Sequence, residues 1–248
     1  MTRDRRDEHL NHVPFANLDF HREHRKGVPE IILASNKTVQ QSLSIAEAFL
    51  KRTGRAILSR VPEALYKALV EQYGIEGFEW YVASRTAIIR TGSPPPHTGG
   101  RVGILTAGTS DQPAAEEAAI VCQEMGCQVF VHHDVGVAGL HRLWEPLRQL
   151  LNTQDVDAII VAAGMDGALP SVVSGLVDVP VIGLPTAVGY GLGGEGQAAL
   201  LSMLQTCAPG LSVVNIGNGI GAGTVAALIA NRVAAARKSA GQNASRDT

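Results

Sequence analysis

Aromatic side chains are scarce here: Phe, Trp and Tyr make up 4% of the 248 residues. A core filled by large rings, as in many β-sandwiches, is therefore disfavoured. The 27 glycines, with 45% hydrophobic residues dominated by small and branched types, suit close packing of helices on strands instead. Cysteine is scarce as well, and Cys122, Cys127 and Cys207 are an odd set without zinc or redox spacing. That excludes a disulfide framework and suits reduced thiols in a cytosol. A formal net charge of -2 provides no general attraction to phosphate backbones or anionic membranes, so neither nucleic acid nor a membrane is an expected partner. No uninterrupted apolar run reads as a membrane span, and the opening TRDRRDEHLNH lacks the apolar centre of a signal peptide. The expected location is cytoplasmic.

The chain has two patterns separated by a break. In 1–92, after a flexible start, strand-like EIILA, helical KTVQQSLSIAEAFLKR, strand-like RAILSR, helical PEALYKALVEQYG and two further strands, EWYVA and TAIIRTG, describe a small α/β unit. GSPPPHTGG follows, continues neither regular structure, and places a linker at 93–100. From 101 to 236 the runs RVGILTA, QVFVHH, DAIIVAA, PVIGLPT and LSVVNIG alternate with helical segments. Continuous Val/Ile/Leu strands in that alternation predict a doubly wound parallel sheet buried on both faces. Residues 237–248 read as a frayed tail. The stripe GAGTVAALIANRVAAA is small enough to pack closely on the sheet or on a neighbouring subunit.

Ligands of open α/β sheets bind beyond the carboxyl ends of strands, which directs attention to the loops there. In AGTSD, Gly108 ends a strand and Thr109, Ser110 and Asp111 lead into a helix with Pro113 in its first turn. The arrangement suits an ordinary cap and equally an anion held by backbone N–H groups and hydroxyls. HHDVGVAGLHR brings His132, His133, Asp134, His141 and Arg142 into one loop. No repeated ligand spacing marks a metal there, while Arg142 reads either as an ordinary surface arginine or as a guanidinium able to take a phosphate bidentately. Asp166, in AAGMDG, follows a buried strand; it reads either as a helix cap or as a carboxylate that apolar neighbours would desolvate into a useful base.

GYGLGG fits G-x-G-x-x-G, but its strand ends too early and no acidic residue lies about twenty positions on, so it reads as a substrate loop with Glu195 capping the next helix. Lys37 and Thr38 open a helix and read first as a cap beside a solvated lysine, with an adenylate contact as the functional alternative. Cys207 sits where a helix ends at TCAPG. As a residue type it favours burial, and a helix C-terminus disfavours a thiolate, so a functional Cys207 needs a cation beside it.

Taken together, AGTSD, DVGVAGLHR, AAGMDGALPSVVSGL, PVIGLPTAVGYG and LLSMLQTCAPGLSVVNIGNGIGAG resemble the nickel-pincer cofactor biosynthesis family LarB, and LDFHREHRKGVPEIILASNKT is similar to that family's opening segment. Behind it stand the PurE-type aminoimidazole ribonucleotide carboxylases. The resemblance implies a flavodoxin-like fold and a homo-oligomer, an octamer in the PurE relatives. It also implies an enzyme that carboxylates the pyridinium ring of nicotinic acid adenine dinucleotide with CO2 and hydrolyses its phosphoanhydride. The products are pyridinium-3,5-biscarboxylic acid mononucleotide and AMP.

Carried over residue by residue, the resemblance makes Cys207 the nucleophile and Asp166 the acid/base. Gly108, Thr109, Ser110, Asp111, Asp134, His141, Arg142 and Gly164 become substrate ligands. Magnesium (Mg2+) is a family expectation without an assigned site, because Gly217 stands where the family pattern has Asp. Two other readings remain open at this point: a PurE-type carboxylase or mutase that needs no thiol, and a non-catalytic nucleotide-sensing module.

Overall fold

EIILA and RAILS are short apolar runs separated by one long helix, the spacing that a crossover between parallel strands requires. In the computed structural model, which describes residues 12–13 and 15–244, they form that unit. A short hairpin, β1 (His12–Val13) and β2 (Ala16–Asn17), and a helical turn α1 (Arg22–Lys26) come first. Then follow β3 (Ile31–Leu33), α2 (Val39–Thr53), β4 (Arg55–Ser59), α3 (Glu63–Tyr73), β5 (Glu79–Tyr81) and β6 (Thr86–Arg90). The sheet order is β3-β4-β6-β5, with β3 and β4 parallel and the remaining pairs antiparallel.

Thr38 starts α2 with a reciprocal cap: its Oγ1 accepts the Gln41 N–H at 3.2 Å, and Gln41 Oε1 accepts the Thr38 N–H at 3.0 Å. Lys37 donates to the Leu33 carbonyl at 2.9 Å. One face of α2 buries Ile45, Ala46 and Phe49, and α3 buries Leu65 and Leu69 against the same core.

The chain divides into two units, Met1–Pro94 and Pro95–Thr248. The second contains β7 (Arg101–Thr106), α4 (Gln112–Glu124), β8 (Gln128–His132), α5 (Trp144–Arg148), β9 (Ala158–Ala163), α6 (Ala168–Ser174), β10 (Val181–Pro185), α7 (Gln197–Leu204), β11 (Leu211–Val213) and α8 (Gly219–Ala244). After α5 the helix continues in π form over Gln149–Thr153. All five strands are parallel, in the order β11-β10-β9-β7-β8, which is the 2-1-3-4-5 order of the flavodoxin-like fold. α4 and α8 cover one face, and α6 and α7 the other. Every residue of β9 is buried, because a central parallel strand faces helices on both sides.

The small-residue stripe of α8 packs on α4 and the sheet within the same chain. Gly223 allows the approach: a Cβ there would lie 2.9 Å from Val121 Cβ and 3.1 Å from Ala118 Cα. Two buried thiols are sealed at this seam: Cys122 Sγ lies 3.4 Å from the Gly223 carbonyl oxygen, and Cys127 Sγ 3.3 Å from Asn231 Oδ1. Burial pushes both thiols up, Cys127 to about 11.

Two sequence expectations are corrected. The expected linker at 93–100 is in part built into the second unit, since Thr98 bonds Gly126 and Asn231. The tail expected to fray from 237 is helical to Ala244, and Arg237 pairs with the buried carboxylate of Asp157, which ties that turn to the start of β9. Over Gly219–Gln242, α8 also has the length and hydropathy to cross a bilayer, although no apolar run reads so in the sequence. Its alanines at 222, 226, 227 and 230 are instead buried against the sheet and α4. The start expected to be flexible, 1–11, and the last residues, 245–248, lie outside the described residues.

The depth of β9 in this core yields a stability prediction. Ile160 is fully buried, so Ile160→Ala is expected to lower unfolding free energy in urea by about 2–5 kcal/mol. A loss under about 1 kcal/mol would contradict a central, doubly covered β9.

Candidate functional site

Because all five strands run in parallel, their carboxyl ends share one edge, and the loops leaving β7, β8, β9 and β10 meet there around a cavity of about 680 Å³. Backbone bonds lay the first two loops side by side. Val135 N–H donates to the Thr106 carbonyl at 3.0 Å and Gly136 N–H to the Ala107 carbonyl at 2.9 Å. The Thr106 hydroxyl accepts the Asp134 N–H at 3.1 Å and fixes Asp134 in a left-handed conformation, φ 59°.

Of the ten residues singled out in the sequence, the cavity brings together eight: Gly108, Thr109, Ser110, Asp111, Asp134, Arg142, Gly164 and Asp166. His141 is exposed beside Arg142 and does not line the cavity. Thr109, Ser110 and Asp111 form a single 3-10 turn that runs into α4, with Pro113 in its first turn. Arg142 Nη1 donates to Asp134 Oδ2 at 2.6 Å, and both residues line the same cavity as that hydroxyl-bearing turn. The pair is solvated and contributes little to stability. A phosphate offers the same guanidinium a bidentate partner.

Asp166 stands between Met165, φ 54°, and Gly167, φ 61°. It is exposed at the cavity rather than enclosed by apolar side chains, the second of the two readings that the sequence allowed. Its Oδ1 accepts only a long 3.4 Å bond from the Ala168 N–H, so the carboxylate is weakly held. Gly164 is required by close approach: a Cβ would meet Val188 Cβ at 2.6 Å and Thr186 Oγ1 at 2.7 Å.

Cys207 is exposed while Cys122 and Cys127 are buried, which removes the packing explanation for this cysteine. The structure nevertheless keeps it away from the cavity. It lies between α7 and β11, at the amino-terminal edge of the sheet, where Ser174 Oγ donates to the neighbouring Pro209 carbonyl at 2.8 Å. Asp166 follows the carboxyl end of β9, so one chain places thiol and carboxylate at opposite sheet edges.

Glu195 does not cap α7: the cap position is Gly196, and no side-chain cap bond is made. The segment GYGLGG makes a 3-10 turn with Tyr190 and Leu192 exposed, not the strand–turn–helix of a dinucleotide site. Gly217, at the position where the family pattern has Asp, has φ 64° and donates to the Pro185 carbonyl at 2.7 Å. Glycine meets that left-handed turn without strain.

Magnesium keeps several waters and is ordinarily held by one or two carboxylates with substrate phosphate, so only a dedicated protein cage can be tested, and among the described residues no group of three or more His, Cys, Asp or Glu could hold a metal. Asp134 is occupied by Arg142, and Asp111 by protein donors. The residues present do not form such a site, and no step is assigned to the ion. Sequence reasoning missed Thr186, buried at the end of the β10 ladder; its only signal was its place directly after the strand PVIGLP.

Comparison with known proteins places these features in a family. The AIR carboxylase family matches residues 101–247, and a LarB/PurE-like N-terminal domain matches residues 10–91. An uncharacterized protein of Methanocaldococcus jannaschii is 40% identical over 217 residues, covering 86% of this chain and 83% of its own length. The N5-carboxyaminoimidazole ribonucleotide mutase of the same organism is 33% identical over 132 residues, 53% of this chain and 77% of that protein. The crystal structure of Treponema denticola PurE aligns with 59% of this chain and 93% of its own at 21% identity and a TM-score of 0.43.

The close approach at Gly164 generates a second prediction. Gly164→Ala is expected to cost about 1–3 kcal/mol in thermal unfolding, because the added methyl must push β10's loop away. Gly92→Ala, where a Cβ meets nothing, should change stability by less than about 0.5 kcal/mol. Equal effects at both positions would refute the packing argument.

Proposed function

Because this chain belongs to the AIR carboxylase family and begins with a LarB/PurE-like domain, we propose that it is a carboxylase making pyridinium-3,5-biscarboxylic acid mononucleotide from nicotinic acid adenine dinucleotide and CO2, with AMP released by phosphoanhydride hydrolysis, in nickel-pincer cofactor biosynthesis. The observation that carries this reading is the cavity's division of labour. A hydroxyl-bearing helix start and a guanidinium suit a nucleotide phosphate, and a weakly held carboxylate stands beside them.

A pyridinium carbon does not attack CO2 unaided, because the ring is electron-poor. Addition of a thiolate at the carbon opposite nitrogen makes a neutral dihydropyridine, whose enamine carbon bonds to CO2. Asp166 then takes the proton from that carbon. The electron pair of the broken C–H bond restores the ring as the C–S bond breaks and the thiolate leaves. Overall, one ring proton is exchanged for a carboxylate, and no oxidant or reductant is consumed. Separately, water cleaves the phosphoanhydride.

Cys207 is the exposed thiol available for this step. Since it and Asp166 stand at opposite edges of one sheet, the reading requires Cys207 from a second copy in a homo-oligomer.

The test uses nicotinic acid adenine dinucleotide and labelled bicarbonate, with product identified by mass spectrometry. Wild type is expected to form labelled dicarboxylated mononucleotide, and Cys207→Ser and Asp166→Asn to lose at least about a hundredfold in rate. Mixing and reassembling the two inactive variants should restore about a quarter of wild-type rate, because sites joining an intact Cys207 to an intact Asp166 then re-form. No recovery on mixing would place both groups in one chain and defeat the shared site. Turnover of N5-carboxyaminoimidazole ribonucleotide that survives Cys207→Ser would assign the chain to mutase chemistry. Binding without turnover would leave only the sensing role.

A further inference from the structure

Among the acids of the cavity wall, Asp111 differs from Asp134 and Asp166: it is buried, with 3% of its surface exposed, and they are exposed. Its carboxylate oxygens are already engaged. Oδ2 accepts the Gly108 N–H at 2.8 Å and Oδ1 accepts the Thr186 hydroxyl at 2.6 Å, while the nearby Gly164 N–H also favours the charged form. Gly108 belongs to the loop after β7, Gly164 to the loop after β9, and Thr186 directly follows β10. A carboxylate has about four lone-pair directions, and short bonds to the protein take one on each oxygen.

Thr186 is bonded on its other sides too. Its N–H donates to the Ala163 carbonyl at 3.0 Å, and its hydroxyl lies 3.4 Å from the Val188 nitrogen. The Val188 carbonyl in turn accepts the Met165 N–H at 2.7 Å, next to Asp166. One buried acid and one hydroxyl therefore join the hydroxyl-bearing turn, Thr109 and Ser110, to the loop that presents Asp166.

We propose that Asp111 and Thr186 form a positioning clamp that sets the distance between the phosphate-binding turn and the Asp166 carboxylate, with Asp111 serving as the internal anchor. The inference rests on the nucleotide reading above and deepens it. Thr186 touches no substrate in this role; it acts through Asp111.

The pair also has a pH signature. Burial pushes Asp111 up from its ordinary value, while the bonds from Thr186, Gly108 and Gly164 pull it down. The other charged groups on the wall of its cavity are Asp134, its partner Arg142, and Asp166, while Glu116 and Glu117 follow on α4. Removing the Thr186 hydroxyl removes a donor to the charged form, so the Asp111 pKa rises further. Its protonation then begins at a higher pH, and the acidic limb of ligand binding moves up with it.

The test titrates nicotinic acid mononucleotide calorimetrically into the full-length chain across about pH 4.5 to 8, alongside hydrogen exchange of the Gly108 and Gly164 amides. Thr186→Val is expected to weaken binding about tenfold, to move its acidic midpoint to higher pH, and to speed exchange at both amides. Thr186→Ser, which keeps the hydroxyl, should restore all three. Thr186→Val with wild-type affinity, midpoint and exchange would overturn the clamp, as would failure of Thr186→Ser to rescue. If wild type does not bind the mononucleotide, the functional reading fails on that arm alone. Exchange then decides the clamp by itself: faster exchange in Thr186→Val, rescued by Thr186→Ser, supports it, and unchanged exchange overturns it.

Discussion

A parallel sheet covered on both faces is the constraint from which the rest of the second unit follows. Once β9 is buried on both sides, no polar chemistry is tolerated along its length, and reactive groups are driven to the strand ends. Parallel direction then sorts those ends. Every loop that leaves a strand falls on one edge and every loop that returns falls on the other. The cavity, the hydroxyl-bearing turn, Arg142 and Asp166 share the first edge, and Cys207 is on the second.

This sorting explains both the coherence of the site and its incompleteness. Eight residues drawn from three separate loops converge because β7, β8 and β9 are adjacent in the sheet, although they are far apart in the chain. The same topology keeps the exposed thiol away. Under the proposed function that thiol comes from a second copy, since a symmetric interface can set one residue of a chain against a different residue of its partner. The three cysteines then divide by environment: two are raised and sealed against α8, and one is exposed.

The strands and most helices were legible because continuous apolar runs and 3.6-residue periodicity are local properties. The cap at Thr38 was legible for the same reason, since the bonding residue lies three positions on. The opposite outcomes have a common cause. Asp111 read as a helix cap or substrate ligand, yet its carboxylate turns inward to a hydroxyl 75 residues away. Arg237 read as part of a frayed tail, yet it finds Asp157 80 residues back. Asp166 read either as a helix cap or as a carboxylate among apolar neighbours, and with a left-handed residue on each side of it the carboxylate stands in the open.

By itself, the sequence determined the alternation of strand and helix, the parallel sheet and the identity of three loops that line the cavity, because each depends on residues close together in the chain. Only the tertiary structure decided which of those loops meet, which carboxylate is buried and already bonded, and that Cys207 stands apart from Asp166. Those outcomes depend on strand order and direction, which bring residues together or hold them apart without regard to their separation along the chain.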